Sequence, residues 1–567
     1  MSVLHVAPEI DPVKGVGQLA YWVKENIEEG VVILLGHEGR SSIGNVQIVG
    51  AGLPPKIPTS DVVEEAFLEV FTALAELPYK LDPSGIEAVE GHEWRGALLA
   101  YILSKRLGKT FRYSLYSTEE ERGGSGVIAE AVKSIEYFLQ KEADVVIHRR
   151  KGFAVEKPKS REQLCGLSKP EGFNVVHVSW EWPPHVIGGL GRAVTSIARR
   201  MARRVNVYIL TIGLPGHVFD ETENKLRVLR VDPFLLRSTG LVSWVYAFNM
   251  LMIAKALTSI PRPDIIHVHD WLGAPAGVSL KHILRIPLIA TMHATEYGRS
   301  RGRIWSPMQH QIHYWEWRLT YEAWRVFVCS KSMRDEVTAA FSLPSDKVSV
   351  LPNGIDLAEI DARTPSAEER SRYALPWEKI VFFAGRHVYD KGVDVLVNAA
   401  RMVLSKRDDV KFVVAGDGPM RAQLMDLARY FGLGEKILFT GRLSDDELYK
   451  VMKIADVVAI PSRYEPFGIV ALEAMAAAKP IVASKVGGLS ELVVDNETGI
   501  VVPPEDSPAL AEAIERVLND PRSQEMGYRG RRRVEELYRW GQIISHLLAT
   551  YERVLEEYIV CGWKTLF

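Results

Sequence analysis

Arg463-Tyr464-Glu465-Pro466-Phe467-Gly468-Ile469-Val470-Ala471-Leu472-Glu473-Ala474-Met475-Ala476 is the stretch on which the fold turns. Two glutamates bracket an apolar run. Leu472, Met475 and Ala476 recur at the 3.6-residue period of a buried helical stripe, and Pro466 is tolerated in a first helical turn. This spacing predicts Glu465 at a loop-to-helix junction and Glu473 about two turns into the helix. A carboxylate at a helix N-terminus is favoured by the dipole, so Glu465 reads either as a cap or as a ligand group. Glu473 falls inside an apolar face, where a carboxylate without a partner is costly. A ligand hydroxyl would offset that cost.

Around this stretch, 567 residues exceed what one core can organise. Hydrophobic residues make up 47% and charged residues 25%, the balance of a globular protein. A formal net charge of −2 gives no electrostatic case for nucleic acid or an anionic membrane. The basic clusters at Arg199–Arg204 and Arg529–Arg533 sit among helix formers and read as solvated faces. No signal peptide and no 18-residue apolar run stand out. Cys165, Cys329 and Cys561 are far apart and fit no metal spacing. A cytoplasmic location is the resulting expectation.

Short β-branched runs alternate with longer amphipathic stretches, the rhythm of βα units and parallel sheets. Breaks fall at Lys151–Gly172, rich in Lys, Glu, Gly and Pro, and at Asp361–Trp377. They predict three domains, at about 1–165, 168–365 and 366–567.

The first two blocks read as copies. Val3-Leu4-His5-Val6-Ala7-Pro8-Glu9 parallels Val175-Val176-His177-Val178-Ser179-Trp180-Glu181, and Lys14-Gly15-Val16-Gly17 then falls opposite Val186-Ile187-Gly188-Gly189. Gly91-His92-Glu93-Trp94 parallels Val268-His269-Asp270-Trp271, and Ser117-Thr118-Glu119 parallels Ala294-Thr295-Glu296. The alternative is a rhythm that Rossmann-like halves share without duplication. The copies differ where chemistry is expected, with Tyr116 opposite His293. No pair of fixed cations five apart and no second pair of glutamates follows the first copy before the second begins, so it is expected to lack the chemistry of the later blocks.

Four elements carry candidate chemistry. Pro183 to Arg192 follows a strand and opens a helix, and Gly188 and Gly189 would let a phosphate approach backbone N–H groups there. Ile289 to Glu296 sets His293 at the C-terminal end of a strand, where open α/β sheets bind ligands. Phe383 to Gly392 ends a strand with two fixed cations, Arg386 and Lys391, ahead of a helix starting at Gly392-Val393. Surface salt bridges would explain them, but a diphosphate leaving group also needs cations where charge builds. Val486-Gly487-Gly488-Leu489-Ser490-Glu491 opens another helix whose N–H groups can hold a phosphate. His267, His269 and Asp270 end a neighbouring strand. Metal ligation by the two histidines lacks a third partner in the sequence, so packing is favoured and no metal site is expected. No Asp-x-Asp triplet occurs anywhere in the chain.

In this order and context the four elements and the paired glutamates resemble the retaining nucleotide-sugar glycosyltransferases of the GT-B fold, on the glycogen and starch synthase side. The resemblance covers residues 174–567 and departs at Val186, which stands where glycogen and starch synthases carry a lysine. It implies an α/β fold of two facing Rossmann-like parallel-sheet domains, here with an additional N-terminal Rossmann-like domain. The C-terminal helix is expected to return to the acceptor-side domain. The resemblance implies catalytic roles for His293, Arg386, Lys391 and Glu465, with His293 and Glu465 on the sugar. It implies donor contacts from Gly188, Gly189, Thr440, Gly441, Glu473, Gly487, Gly488 and Leu489, with Glu473 on the ribose and Thr440-Gly441 beside the base. Gly416-Asp417-Gly418-Pro419 matches the family's structural turn. The implied reaction moves glucose from ADP- or UDP-glucose to an α-1,4-glucan, with no cofactor beyond the donor. Other hexosyl transfers, to trehalose, sucrose or a glycolipid, stay open, as do a non-catalytic carbohydrate-binding scaffold and a homo-oligomer. Exposed indoles among Trp305, Trp315, Trp317 and Trp324 would favour a glucan acceptor.

Overall fold

Strands form where β-branched and aromatic residues cluster, and they assemble into three parallel-rich sheets. The computed structural model describes residues 2–8, 27, 30–43, 45–149, 153–156, 172–215 and 217–562. Gly15, Gly17, Cys165 and most of the expected linker lie outside the described residues.

The first sheet contains β1 (Ser2–Ala7), β2 (Gly30–Leu34), β3 (Arg40–Ile43), β4 (Val46–Gly50), β5 (Ile86–His92), β6 (Thr110–Leu115), β7 (Val145–His148) and β8 (Phe153–Glu156). Its order is β3-β4-β2-β1-β5-β6-β7-β8. The second contains β9 (Asn174–Val178), β10 (Asn206–Ile212), β11 (Glu221–Glu223), β12 (Leu226–Val231), β13 (Ile265–His269) and β14 (Leu288–Met292), in the order β11-β12-β10-β9-β13-β14. Over β1–β6 and β9–β14 the two orders are the same once strands are paired off in sequence. Both sheets start with one antiparallel pair, β3 with β4 and β11 with β12, and continue in parallel. They differ later, where β7 and β8 are antiparallel but β15 (Arg325–Val328) and β16 (Val348–Val350) are parallel.

The duplication extends to side chains. His5 Nδ1 lies 3.0 Å from His92 Nε2, and His177 Nδ1 lies 3.0 Å from His269 Nε2. Glu93 (φ 54°) and the matching Asp270 (φ 59°) both adopt the left-handed conformation that non-glycine residues rarely take. Trp94 and Trp271 are both buried. A shared rhythm explains strand order; it does not explain a repeated buried histidine pair and a repeated backbone outlier.

The third sheet contains β17 (Lys379–Ala384), β18 (Val410–Ala415), β19 (Ile437–Gly441), β20 (Val457–Ile460), β21 (Ile481–Ser484) and β22 (Ile500–Val502), ordered β19-β18-β17-β20-β21-β22 and wholly parallel. Its core joins Val381, Phe383, Phe412 and Val414 to Leu396 and Ile514 on covering helices.

The chain forms two compact units that do not follow the boundaries expected from the sequence. Unit 1 comprises Met1–Thr291, Arg303–Arg325 and Arg553–Phe567, and unit 2 comprises Met292–Gly302 and Val326–Glu552. Residues 1–165 do not stand apart, because their helices pack on those of the second copy. In unit 1 these are α1 (Val62–Lys80), α2 (Glu93–Leu107), α3 (Val127–Glu142), α4 (Gly189–Met201), α5 (Leu241–Ser259), α6 (Ala274–Leu284) and α7 (Pro307–Glu322). Helix α5 corrects one expectation: it is long and apolar enough to cross a membrane by length and composition. It is largely buried in unit 1, packed against α1, α2, α6 and α7. The end of the C-terminal helix (Trp540–Cys561) also belongs to unit 1. There Glu557 accepts from Trp324 Nε1 and from Arg325 Nη2, each at 2.7 Å, and Tyr558 donates to the carbonyl of Arg285.

Candidate active site

The strand order of the third sheet reverses between β17 and β20, and a crevice at the carboxyl ends of strands at such a reversal is where open α/β sheets take ligands. The loops leaving those strands carry the predicted charges. Lys391 Nζ and Glu465 Oε2 are 2.7 Å apart, with Ser462 Oγ donating to the same carboxylate oxygen at 3.1 Å. Arg386 is exposed and has no ion pair among the described residues. A cation held by a carboxylate beside one facing solvent is an arrangement that can receive a diphosphate.

Glycines set this geometry. A Cβ on Gly392 (φ +63°) would fall 2.0 Å from the carbonyl oxygen of Pro461, and one on Gly487 (φ +44°) 2.1 Å from that of Glu465. Both distances are far inside contact, so only glycine lets the three loops approach. The carbonyl of Asp390 accepts from the N–H groups of Arg463 and Tyr464, at 2.7 and 3.2 Å. Arg463 grips Asp394 with both terminal nitrogens (2.8 and 2.6 Å) and Glu505 with Nε (2.8 Å), and it lies 4.0 Å from the Tyr389 ring centroid. These bonds hold its guanidinium well above the usual range, first through Asp394. Arg463 is therefore a clamp between loops.

His293 ends β14 half-buried and lies in unit 2 with Arg386, Lys391 and Glu465. Two residues on, Thr295 Oγ1 donates to Glu336 Oε1 at 2.5 Å, and Tyr464 OH donates to the same oxygen at 3.0 Å. Glu336 thus ties the His293 segment to the residue preceding Glu465. Neither Glu336 nor Tyr464 is legible as a site residue in the sequence.

Several expectations need correction. The helix after Glu465 runs Ile469–Ala476, so Pro466 precedes it, Glu465 is no cap, and Glu473 lies just over one turn in. Glu473 is 2% exposed and accepts from Tyr449 OH at 3.2 Å, so a protein hydroxyl already supplies part of what a ligand was expected to give. At Gly487–Leu489, the Gly488 N–H donates to the Glu465 carbonyl and the Leu489 N–H to that of Val486. Two of the turn's three amides are therefore taken, and Leu489 is fully buried. Gly441 (φ +75°) accepts from the Gly416 N–H, and Thr440 Oγ1 donates to the Gly441 carbonyl, which fixes the turn after β19.

The largest correction lies in unit 1, at Gly188 and Gly189. The carboxylate of Glu181, 4% exposed, accepts from the N–H groups of Ile187, Gly188 and Gly191 at 3.0, 3.1 and 3.1 Å. A protein anion thus holds the Gly188 amide, with those of Ile187 and Gly191, at the N-terminus of α4 where a phosphate was expected to approach Gly188 and Gly189. The signal is present in the chain, since Glu181 closes the first segment of the repeat.

His177 supplies the third buried imidazole that sequence reasoning missed beside His267 and His269. His267 stacks on His269 at 4.4 Å and 22°, whereas His177 meets His269 edge to edge, Nδ1 to Nε2 at 3.0 Å with their planes 14° apart. His177 Nδ1 and His269 Nε2 already share a hydrogen bond, which is the use the cluster makes of those two nitrogens. His267 Nε2 is 2.7 Å from Thr291 Oγ1. In the first copy, the corresponding crevice is a cavity of about 420 Å³ lined by Glu93, Glu119, Arg95 and Arg122. Arg122 meets Glu119 at 2.8 Å and Glu136 at 3.1 Å, so its cation is already committed to carboxylates.

Comparison with known proteins agrees with this geometry. Residues 366–533 match the model for glycosyl transferases group 1, and residues 187–359 that for Glycosyltransferase Family 4. An uncharacterized glycosyltransferase of Methanocaldococcus jannaschii is 37% identical over 396 residues, which span 67% of this chain and 98% of that protein. Glycogen synthase of Mycobacterium tuberculosis is 33% identical over 395 residues, 66% of this chain and 94% of that one. The structure of sucrose-phosphate synthase from Thermosynechococcus elongatus aligns with a TM-score of 0.59 and 26% identity, covering 68% of this chain and 99% of that one. The protein belongs to the group 1 glycosyltransferases of the GT-B fold and is a hexosyltransferase that uses a nucleotide sugar.

Proposed function

We propose that the protein transfers glucose from ADP- or UDP-glucose to the 4-hydroxyl of an α-1,4-glucan, with retention of anomeric configuration. The observation that carries this reading is the Lys391–Glu465 pair beside exposed Arg386 at the strand-order reversal. Arg386 and Lys391 take the diphosphate and stabilise the charge that builds as it leaves. Glu465, released from Lys391, orients the sugar hydroxyls together with His293. Glu473 reaches the ribose. The leaving phosphate oxygen takes the proton of the acceptor hydroxyl. The cations stand where other sugar transferases hold a metal with Asp-x-Asp.

Likeness to a glycogen synthase supports the glucan acceptor, and likeness to a sucrose-phosphate synthase supports a small-sugar acceptor as the second reading. Among the indoles, Trp305 at 75% exposure favours the glucan, while Trp315 is buried and Trp324 is committed to Glu557. The test is release of nucleotide from ADP-glucose and UDP-glucose with glycogen, maltose, a hexose phosphate or no acceptor, with and without EDTA. Glycogen-dependent release that survives EDTA is expected. Release dependent only on the hexose phosphate overturns the glucan reading, and loss on chelation restored by Mg²⁺ overturns the role given to the cations.

A further inference from the structure

The packing of the two copies within unit 1 follows an exchange rule. Matched by position in the repeat, α1 corresponds to α5, α2 to α6 and α3 to α7. Helices α1 and α5 are each 19 residues long, and α3 and α7 are each 16. Helix α1 of the first copy packs on α6 of the second, α2 packs on α5, and α1 packs on α5. Exchanging the copies turns the first contact into the second and leaves the third unchanged. That reciprocity defines an isologous, two-fold interface.

Side chains obey the same rule. Phe67 and Tyr246 are each the sixth residue of their helix, and their rings meet at 6.2 Å, as positions beside a two-fold axis must. Phe71 and Trp315 close round them, edge to face at 5.7 Å. On one side, Gln311 of α7 donates to Glu64 at the start of α1, at 2.7 Å. On the other, Arg237 just ahead of α5 reaches Glu130 (2.7 Å) and Ser134 (3.0 Å) of α3. The contact is apolar around Phe67 and Tyr246, with one buried polar link, Gln311 to Glu64, and one exposed link, Arg237 to Glu130.

We propose that the N-terminal copy is a built-in dimer partner: the face made by α5 and α6 recognises a second copy of its own fold, and the chain supplies that copy in cis. Tethering keeps the partner at high effective concentration without self-association of whole chains through this face. The copy can lose its donor site and keep this role, which matches the committed Arg122 and the preserved α1–α2 face.

The test inserts a specific protease site after residue 160 of the full chain and cleaves it. The two pieces should co-elute at the mass of the uncut chain. The melting temperature of the cut protein should fall with each tenfold dilution, while that of the uncut chain stays fixed. Native mass spectrometry of the cut protein should show, beside the pair, a homodimer of the C-terminal piece, because the α5/α6 face fits a copy of itself. Pieces that separate into two monomers overturn the proposal. Should the pieces precipitate, hydrogen exchange on the uncut chain decides. Helices α1, α2, α5 and α6 opening as one unit supports the proposal, and rapid exchange in α1 and α2 with α5 and α6 still protected refutes it.

Discussion

Lowering the pH from 7 to 5 should weaken unit 1 by an amount that His177 allows to be calculated. His177 is fully buried, and burial holds its imidazole down at about 3, against an ordinary value of 6.5. Below 6.5 the unfolded chain takes up a proton that the folded chain refuses. The unfolded state then binds more protons, so stability falls as the pH falls. The contribution is fully present above the unfolded value and is lost progressively towards the folded one. Between pH 7 and 5 the loss is about 1.4 pK units at about 1.36 kcal/mol each, or roughly 2 kcal/mol. His5 and His92 act in the same direction, held by burial at about 4 and about 3, with Glu90 opposing and Arg149 assisting. The assay is urea unfolding at the two pH values, read by hydrogen exchange in peptides covering β9 and β13. His177→Gln also changes packing, which shifts stability at every pH, so the informative quantity is the difference between the two pH values. It should be about 2 kcal/mol smaller in the variant. Parallel pH curves for the parent and His177→Gln refute the reasoning.

Three further outcomes follow from the residues described above. Glu465→Gln and Lys391→Ala should each lower kcat by about 10²-fold or more, as loss of one transition-state partner does; turnover within threefold of the parent in either variant would sink the assignment. Gly487→Ala forces a Cβ to 2.1 Å from the Glu465 carbonyl in a left-handed conformation. It should cost about 1–3 kcal/mol of strain in unit 2 and reduce kcat by displacing Glu465, so a melting temperature and kcat both equal to the parent's would contradict it. Glu181→Ala leaves three amides at the start of α4 without their acceptor. A loss of about 2 kcal/mol or more in unit 1 is expected, and an unchanged urea midpoint would show that water replaces the carboxylate at no cost.

Much of this protein is legible in the chain itself. The strands Asn174–Val178, Ile265–His269, Leu288–Met292 and Val457–Ile460 follow from their apolar runs, because short-range sterics and burial act on neighbours in the chain. The loop from Gly385 to Lys391 and the repeat of the first copy in the second are equally open to reading. Strands β5, β6 and β12 are not, because Glu90, Arg112 and Arg230 interrupt their apolar pattern. Glu90 is acceptable inside only because Ser114 donates to it at 2.5 Å and Arg149 pairs with it, and Arg230 because Pro183 accepts from it at 2.6 Å.

Local sequence thus settles the succession of strands, the glycines that let three loops meet, and the charges those loops carry. Which partner each polar group finds is a matter of tertiary packing. Glu181 takes the Gly188 amide expected for a phosphate, Tyr449 serves Glu473, Glu336 joins the His293 segment to Tyr464, and His177 hydrogen-bonds His269. Packing also sets the two copies face to face through α1 and α5. Such pairings link residues far apart in the chain, 247 positions for Glu64 and Gln311 and 273 for Arg285 and Tyr558. They depend on how finished helices and sheets pack, and no local period in a chain encodes that.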